Sequence, residues 1–231
     1  MAKGVIKAPF FEIGPKSYLY GDEILELALA ADAASEKYNV DIIFTCPVVD
    51  IRRVSQATKH IHVFAPHMDP IPIGRGLADT LAESLVAAGA EGVMLNHVEK
   101  PLTDDVLEAT IKRAAEVGLL SIVCADSMAD ASKIAAMHPD LIVAEPSELI
   151  GTGVSVGPEY VAAASECVKK VDANILVLTA AGISCGEDVY NTIIAGADAT
   201  GYSSVIAKAP DRAAIVDEMI CAVRRAWDAR N

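Results

Sequence analysis

The repeating unit of this chain is clearest in GVMLNHVEKPLTDDVLEATIKRAAEVGLLSIVCA, residues 92–125. Two apolar runs, 92–97 and 119–125, flank a segment with the periodicity of an amphipathic helix. Thr103 and the acids that follow it predict the start of the helix, and Gly118 predicts its end. Near-continuous apolar runs are typical of parallel strands that are covered on both faces. The stretch therefore predicts a strand–helix–strand unit with parallel strands.

The same alternation runs through the whole chain. Strands are predicted at 5–14, 40–46, 61–66, 92–97, 119–125, 141–146, 175–181 and 199–207. Helices are predicted, among others, at 21–38, 77–89, 103–118 and 211–230, and Leu77, Leu81 and Leu85 define the apolar face of the second of these. Eight units of about 29 residues suit a (β/α)8 barrel. We therefore predict an α/β protein with one closed barrel of eight parallel strands over residues 1–231.

An open doubly wound sheet is the main alternative fold. Such sheets usually carry G-x-G-x-x-G after the first strand, whereas here the first strand leads into Gly14-Pro-Lys-Ser-Tyr. No linker or low-complexity segment divides the chain, so the barrel is the preferred prediction.

The composition narrows the classes of partner. The chain has 19 Lys and Arg against 32 Asp and Glu, a formal net charge of −13. This charge argues against nucleic acid and against an anionic membrane surface as partners. The apolar runs are shorter than the roughly 18 residues of a membrane-spanning helix. The five cysteines show no framework spacing, and no secretory signal is recognised at the N-terminus, so reduced thiols and a cytoplasmic location are predicted.

Polar residues cluster where the predicted strands end, which is where the catalytic residues of such barrels lie. They are Glu12, Lys16, His67, Asp69, Asn96, His97, Glu99, Glu145, Gly182, Ser184, Ser203 and Ser204. Glu145 follows an apolar strand and suits a general base of raised pKa. His97 precedes a helix, whose dipole favours a neutral imidazole, and Lys16 supplies a fixed positive charge. Together these three residues suit proton transfer next to a carbonyl group.

Phosphate binding is predicted at two places. The loop after Glu145 is rigid at Pro146 and permissive at Gly151-Thr-Gly153, as a lid that closes on a phosphate requires. The segments 182–184 and 203–204 follow the last two strands, the usual phosphate location in these barrels.

These residues resemble the triosephosphate isomerase family, and more closely its short archaeal form. The resemblance covers nearly the whole chain in order. Its motifs are Lys16-Ser-Tyr, Phe64-Ala-Pro-His-x-Asp-Pro70, Leu95-Asn-His-x-Glu99, Cys124, Glu145-Pro-Ser-Glu-Leu-Ile-Gly-Thr-Gly153, Ala181-Gly-Ile-Ser-x-Gly-Glu-Asp-Val189 and Lys208-Ala209.

The resemblance implies a TIM barrel and an isomerase of glycolysis and gluconeogenesis that acts on a small phosphorylated sugar. It implies that Glu145 is the proton-shuttling base, His97 the neutral electrophile, Lys16 the group that stabilises the enediolate, and Glu99 its ion-pair partner. The implied substrate- and phosphate-binding residues are Gly14, Ile150, Gly151, Gly182, Ser184, Ser203 and Ser204. It further implies a homo-oligomer, dimer or tetramer, and no metal or organic cofactor.

Four residues depart from the family pattern. They are Gly14 where the family has Asn, Val98 where Ser is usual, Lys100 where Arg is usual, and Val205 where archaeal sequences have Gly. All four are predicted to lie around the substrate. A substrate other than the triose phosphates, such as a tetrulose phosphate for which Gly14 makes room, is therefore an alternative. A barrel that binds a phosphorylated ligand without catalysis is another.

Overall fold

The computed structural model describes residues 5–146, 149, 156–180 and 182–231. Its eight strands are parallel and form a closed barrel in sequence order, with β1 paired to both β2 and β8. The strands are β1 Phe10–Ile13, β2 Asp41–Thr45, β3 Ile61–Ala65, β4 Gly92–Leu95, β5 Leu120–Ala125, β6 Leu141–Ala144, β7 Leu176–Thr179 and β8 Ala199–Tyr202. The predicted (β/α)8 barrel is confirmed.

Helices follow the strands and cover the outside of the barrel. They are α1 Asp22–Tyr38, α2 Ile51–Ala57, α3 Ala82–Ala88, α4 Asp104–Val117, α5 Met128–Ala135, α6 Pro158–Val171, α7 Gly186–Ile194, α8 Ser204–Lys208 and α9 Arg212–Arg230. Gly89 and Gly118 end α3 and α4 in the left-handed conformation, as predicted. Asp211 caps α9 by accepting a hydrogen bond from the backbone N–H of Ala214.

Alternate residues of each strand face opposite sides of the barrel wall. Phe11 and Ile13 pack outward against the helices, whereas Phe10 belongs to a second apolar cluster inside the barrel. That inner cluster contains Ile6, Phe10, Ile43, Phe64, Met94, Leu120, Ile122, Cys124, Leu141, Val143, Leu178, Ala180 and Ala199. A Cβ atom on Gly92 would lie 2.3 Å from the Phe64 ring, so the phenyl group fills the space against β4. Side chains therefore close the barrel interior.

The predicted helix at 77–89 is wrong in its first turn. Leu77 is fully exposed, and α3 begins only at Ala82. Asp69 and Thr80 hold each other: the backbone N–H of Asp69 donates to the Thr80 carbonyl, and the backbone N–H of Thr80 donates to the Asp69 carboxylate. This closed loop removes the residues before Ala82 from the helix.

Two predicted strands are too long. β1 begins at Phe10 because Pro9 has no N–H to donate to a strand ladder. β8 ends at Tyr202, opposite Ile13 at the end of β1, so later residues have no partner strand there. Residues 204–208 instead form α8, which buries Ile206 and Ala207.

Thr103 occupies the predicted N-cap position of α4, but its hydroxyl donates to the Asp105 carboxylate rather than accepting from the helix. Among the described residues, no helix is long and apolar enough to cross a membrane.

Candidate active site

A cavity of about 660 Å³ opens at the carboxyl ends of the strands. The sequence-predicted residues that line it are Glu12, Gly14, Lys16, His67, His97, Glu99, Glu145, Gly182, Ser203 and Ser204. Further lining residues include Tyr18, Thr45, Met94, Lys100, Cys124 and Tyr202. The barrel topology thus brings residues 192 positions apart in sequence, from Glu12 to Ser204, to one opening.

Lys16 supplies a positive charge to the cavity. Its backbone has a φ of 49°, a conformation uncommon for a residue with a side chain. Its Nζ atom lies 2.7 Å from Oε1 of Glu99, in an ion pair between the loops that follow β1 and β4. This ion pair lowers the pKa of Glu99, chiefly through the hydrogen bond from Lys16. The structure therefore pairs the two residues.

His97 is held as a neutral imidazole. The backbone N–H of Glu99 donates to His97 Nδ1 at 3.1 Å, so the ring proton of the neutral form resides on Nε2. Burial lowers the pKa of His97, and the positive charge of Lys16 lowers it further. The predicted neutral state agrees with this geometry, but the predicted cause is wrong. Helix α4 begins only at Asp104, so burial and Lys16, rather than the dipole of a helix that starts next to His97, lower its pKa.

Asn96 anchors the loop that carries His97. It lies at a φ of 57°, a conformation that Asn tolerates better than most residues. Its side-chain amide donates to the Cys124 carbonyl at 3.0 Å and accepts from the backbone N–H of Leu102 at 3.0 Å. The imidazole is therefore oriented by a loop that is fastened on both sides.

Glu145 directly follows β6 and lines the cavity. Its backbone N–H donates to the Ala125 carbonyl, which fixes the start of the loop. Burial raises the pKa of Glu145 to about 7, while Lys16 lowers it and Asp126 raises it further. A carboxylate with a pKa near neutrality can both take and return a proton under physiological conditions.

Glu12 is a second buried carboxyl group, which sequence reasoning placed at a strand end without a role. Thr45 donates to its Oε1 atom at 2.5 Å, and burial raises the pKa of Glu12 to about 7. A Cβ atom on Gly14 would lie 2.9 Å from that Oε1 atom. The room that Gly14 was expected to give a longer substrate is therefore occupied by Glu12. In the sequence, Glu12 stands out as the charged residue within the otherwise apolar run Phe10–Ile13.

Small residues dominate the cavity wall after β7 and β8. Gly182 has a φ of 67°, which suits a glycine. The Ser203 hydroxyl is buried and has no hydrogen-bond partner among the described residues. The Ser204 hydroxyl contacts the Tyr202 hydroxyl at 3.4 Å. Ser184 is not among the cavity-lining residues, and its hydroxyl and backbone N–H both donate to Asp188.

Ile150, Gly151 and most of the predicted lid (residues 147–148 and 150–153) lie outside the described residues. His67 lines the cavity and pairs with Asp69 at 3.1 Å. Of the four departures from the family pattern, Gly14 and Lys100 line the cavity. The prediction is wrong for the other two, which are not among its lining residues: Val98 is exposed, and Val205 packs against the core beneath the helices. Within the described ranges, no group of three or more His, Cys, Asp or Glu side chains is placed to hold a metal ion.

Comparisons with known proteins agree with this geometry. The family model described as triosephosphate isomerase matches residues 15–218. A triosephosphate isomerase of Saccharolobus solfataricus is 35% identical over 226 residues, 96% of this chain and 99% of that protein. One of Methanosarcina barkeri is 36% identical over 217 residues, covering 92% and 97%.

A solved structure shares the fold. The crystal structure of triosephosphate isomerase from Bartonella henselae superposes with a TM-score of 0.78 at 17% identity, covering 94% of this chain and 99% of the other. The family model matches most of this chain, and the alignments with the archaeal relatives cover most of this chain and of each relative. This chain belongs to the triosephosphate isomerase family.

Proposed function

We propose that this chain, as a single-domain barrel, interconverts glyceraldehyde 3-phosphate and dihydroxyacetone phosphate. The observation that carries the proposal is the meeting of three groups in one cavity. These groups are a carboxyl of raised pKa, a neutral imidazole and an ammonium group, supplied by Glu145, His97 and Lys16. The names of the relatives support the same reaction.

The roles follow from the chemistry of each group. The Glu145 carboxylate takes a proton from the carbon next to the substrate carbonyl and returns it to the neighbouring carbon. His97 donates a hydrogen bond from Nε2 to a substrate oxygen and moves the proton between the two oxygens. Lys16 stabilises the negative charge of the enediolate formed between the two transfers, and Glu99 holds Lys16 in place. No net proton is gained or lost.

Phosphate is proposed to bind against the wall formed after β7 and β8. Gly182 and Ser204 line this wall, and the buried Ser203 hydroxyl supplies a donor without a partner in the described part of the chain. Ile150 and Gly151 are proposed to cover the phosphate from the lid, and Gly14 and Ser184 stay predictions from the resemblance. The hypothesis of a larger ketose phosphate substrate depended on open space beside Gly14, and Glu12 fills that space.

A coupled-enzyme assay with glyceraldehyde 3-phosphate tests the function. Wild-type protein should turn over this substrate, and Glu145→Gln, which keeps the shape but not the base, should reduce kcat by about three orders of magnitude or more. Tetrulose phosphates serve as the comparison substrates. A folded wild-type protein that turns over no triose phosphate would contradict the proposal, and binding without isomerisation would indicate a non-catalytic barrel.

We also propose a homo-oligomer in the cytoplasm. The loop between β3 and α3 exposes Ile73 and Leu77, apolar side chains that association with a second copy would cover. The five cysteines are free thiols, which suits a reducing compartment. Light scattering coupled to size-exclusion chromatography tests the assembly, and a monomeric mass at micromolar concentration would contradict it.

A further inference from the structure

Glu12 lies inside the barrel rather than on its rim. The strand alternation points Phe11 and Ile13 outward to the helices, so Phe10 and Glu12 point inward. Phe10 belongs to the apolar inner cluster. Glu12 lies two residues further along the strand, towards the opening; it is 9% exposed and lines the cavity. A carboxyl group in this position is costly unless it has a defined partner or a defined protonation state.

Two neighbouring glycines are fitted to this side chain. On Gly14, a Cβ atom would lie 2.9 Å from Glu12 Oε1. On Gly201 of β8, a Cβ atom would lie 2.8 Å from both the Glu12 Cβ and its backbone carbonyl oxygen. Residues with larger side chains at either position would displace Glu12. Gly14 therefore leaves room for the carboxyl group, and Gly201 leaves room for the Cβ and backbone of residue 12.

The hydrogen bonding of Glu12 distinguishes its two oxygens. Thr45 donates to Oε1, so Oε1 is an acceptor. Oε2 has no hydrogen-bond partner within the ranges that the structure describes, so a neutral Glu12 that accepts from Thr45 at Oε1 carries its proton on Oε2. A neutral Glu12 thus presents one O–H donor in a cavity that also contains the Lys16 ammonium group.

The surroundings of Glu12 favour different protonation states for the Glu12 and Glu145 carboxyl groups. The titratable groups that act on it are Glu145 after β6 and Lys16 after β1, and the Cys124 thiol on β5 lies in the same field. Burial is the main reason that the pKa of Glu12 rises to about 7; Glu145 also raises it, whereas the hydrogen bond from Thr45 and the charge of Lys16 lower it. Two such groups in one cavity resist simultaneous ionisation. When Glu145 is ionised as the base, Glu12 is therefore favoured in its neutral form.

We propose that Glu12, as a neutral carboxylic acid, is a substrate-binding group whose Oε2–H donates a hydrogen bond to the substrate oxygen that Lys16 also stabilises. The proposal rests on the proposed isomerase function and adds a residue to it. A neutral donor is favourable where negative charge develops on an oxygen, whereas an ionised carboxylate there repels that charge. Buried carboxylic acids that stay neutral to serve as donors are known in other enzymes of proton transfer at carbon.

Calorimetry with dihydroxyacetone phosphate in a Glu145→Gln background tests this role without turnover. Adding Glu12→Met, which keeps the length of the side chain but has no donor, should weaken binding by about tenfold or more. Adding Glu12→Gln, which retains a donor, should keep binding within about threefold. Circular dichroism and thermal unfolding establish that each variant is folded.

Two further measurements of binding affinity use the same Glu145→Gln background: its dependence on pH and the effect of a substitution at Gly14. Affinity should fall as the pH rises through the pKa of Glu12, because an ionised Glu12 no longer donates, and the fall should be smaller with Glu12→Gln. Gly14→Ala should weaken binding by displacing Oε1, and it should have little further effect in the Glu12→Met variant.

The outcomes separate the two proposals. If Glu12→Met binds within about twofold of its folded parent, Glu12 is structural and the inference is overturned, whatever the wild-type turnover. If wild type shows no isomerisation while the Glu12 variants differ in binding as expected, the isomerase function fails and the binding role stands. A parent variant that binds no dihydroxyacetone phosphate would overturn both.

Discussion

The ends of β1 and β6 each place a buried glutamate in the cavity, and burial raises the pKa of both Glu12 and Glu145 to about 7. Their surroundings differ. Glu12 lies within its strand, accepts a hydrogen bond from Thr45 and is flanked by glycines. Glu145 lies just beyond its strand, and Lys16 is the foremost charge that acts on it. The difference teaches that a raised pKa locates a site, whereas position and neighbours assign the role.

The sharpest test of this difference shortens each glutamate by one methylene. Glu145→Asp withdraws the proposed base from the substrate carbon, and kcat should fall by about two to three orders of magnitude because proton transfer depends on sub-ångström placement. Glu12→Asp should cost about tenfold, since it weakens one hydrogen bond. Steady-state kinetics on both variants measures the contrast. Equal losses in kcat would remove the distinction between base and binding group.

Lys16→Met should reduce kcat/KM by about two orders of magnitude, because the cavity loses the cation that is proposed to stabilise the enediolate. Lys16 lowers the pKa of Glu145, so its removal should also move the acid limb of the pH–rate profile to higher pH. Glu99→Gln is the matched control, which removes the ion-pair partner but keeps the cation. A limb that stays in place in Lys16→Met would contradict the proximity of Lys16 to the base.

The burial of Glu12 should also appear in the free energy of unfolding. Its pKa is about 7 in the folded protein against 4.5 for the free side chain, so the folded state binds the extra proton between those values. The contribution of Glu12 to stability is therefore most favourable below about pH 4.5 and is lost as the pH rises to about 7. Relative to Glu12→Gln, wild type should lose up to about 3 kcal/mol across this window.

Urea unfolding of both proteins at about pH 5 and about pH 8 measures this difference. Glu166→Gln is the control, because Glu166 lies on the exposed face of α6 and pairs with Lys170. Its effect should stay within about 0.5 kcal/mol at either pH. A pH-independent difference between wild type and Glu12→Gln would show that Glu12 titrates normally.

The smallest expected effect compares two buried threonines. Thr45→Val removes the donor to Glu12 and should cost about 1–2 kcal/mol of folding free energy, because the buried carboxyl group loses its partner. The Thr200 hydroxyl is buried and has no hydrogen-bond partner among the described residues, so Thr200→Val should be neutral or stabilising. Thermal unfolding of both variants at one pH decides the matter, and a larger loss in Thr200→Val would be the contrary result.

The sequence was informative where local patterns dictate structure. Apolar runs located all eight strands, and the positions of Lys16, His97, Glu99 and Glu145 beyond strand ends predicted that they share one cavity. Boundaries were less predictable because pairing partners and loop contacts set them, as the Asp69–Thr80 loop shows at the start of α3. No local pattern predicts such contacts.

The site shows the same division. Glu12 and Thr45 lie on adjacent strands, and their hydrogen bond depends on strand register, which the sequence does not display. For the same reason Gly14 suggested open space, although the Glu12 side chain from the preceding strand fills that space. The turn that fixes the His97 tautomer likewise depends on a backbone contact rather than on residue type.

The packed interior around Phe64 limits the routes by which small molecules can enter and leave the cavity. Because the phenyl ring lies against Gly92 and apolar side chains occupy the barrel below the cavity, reactant and product exchange through the same mouth. A compound lodged in that mouth would therefore slow the forward and reverse conversions together.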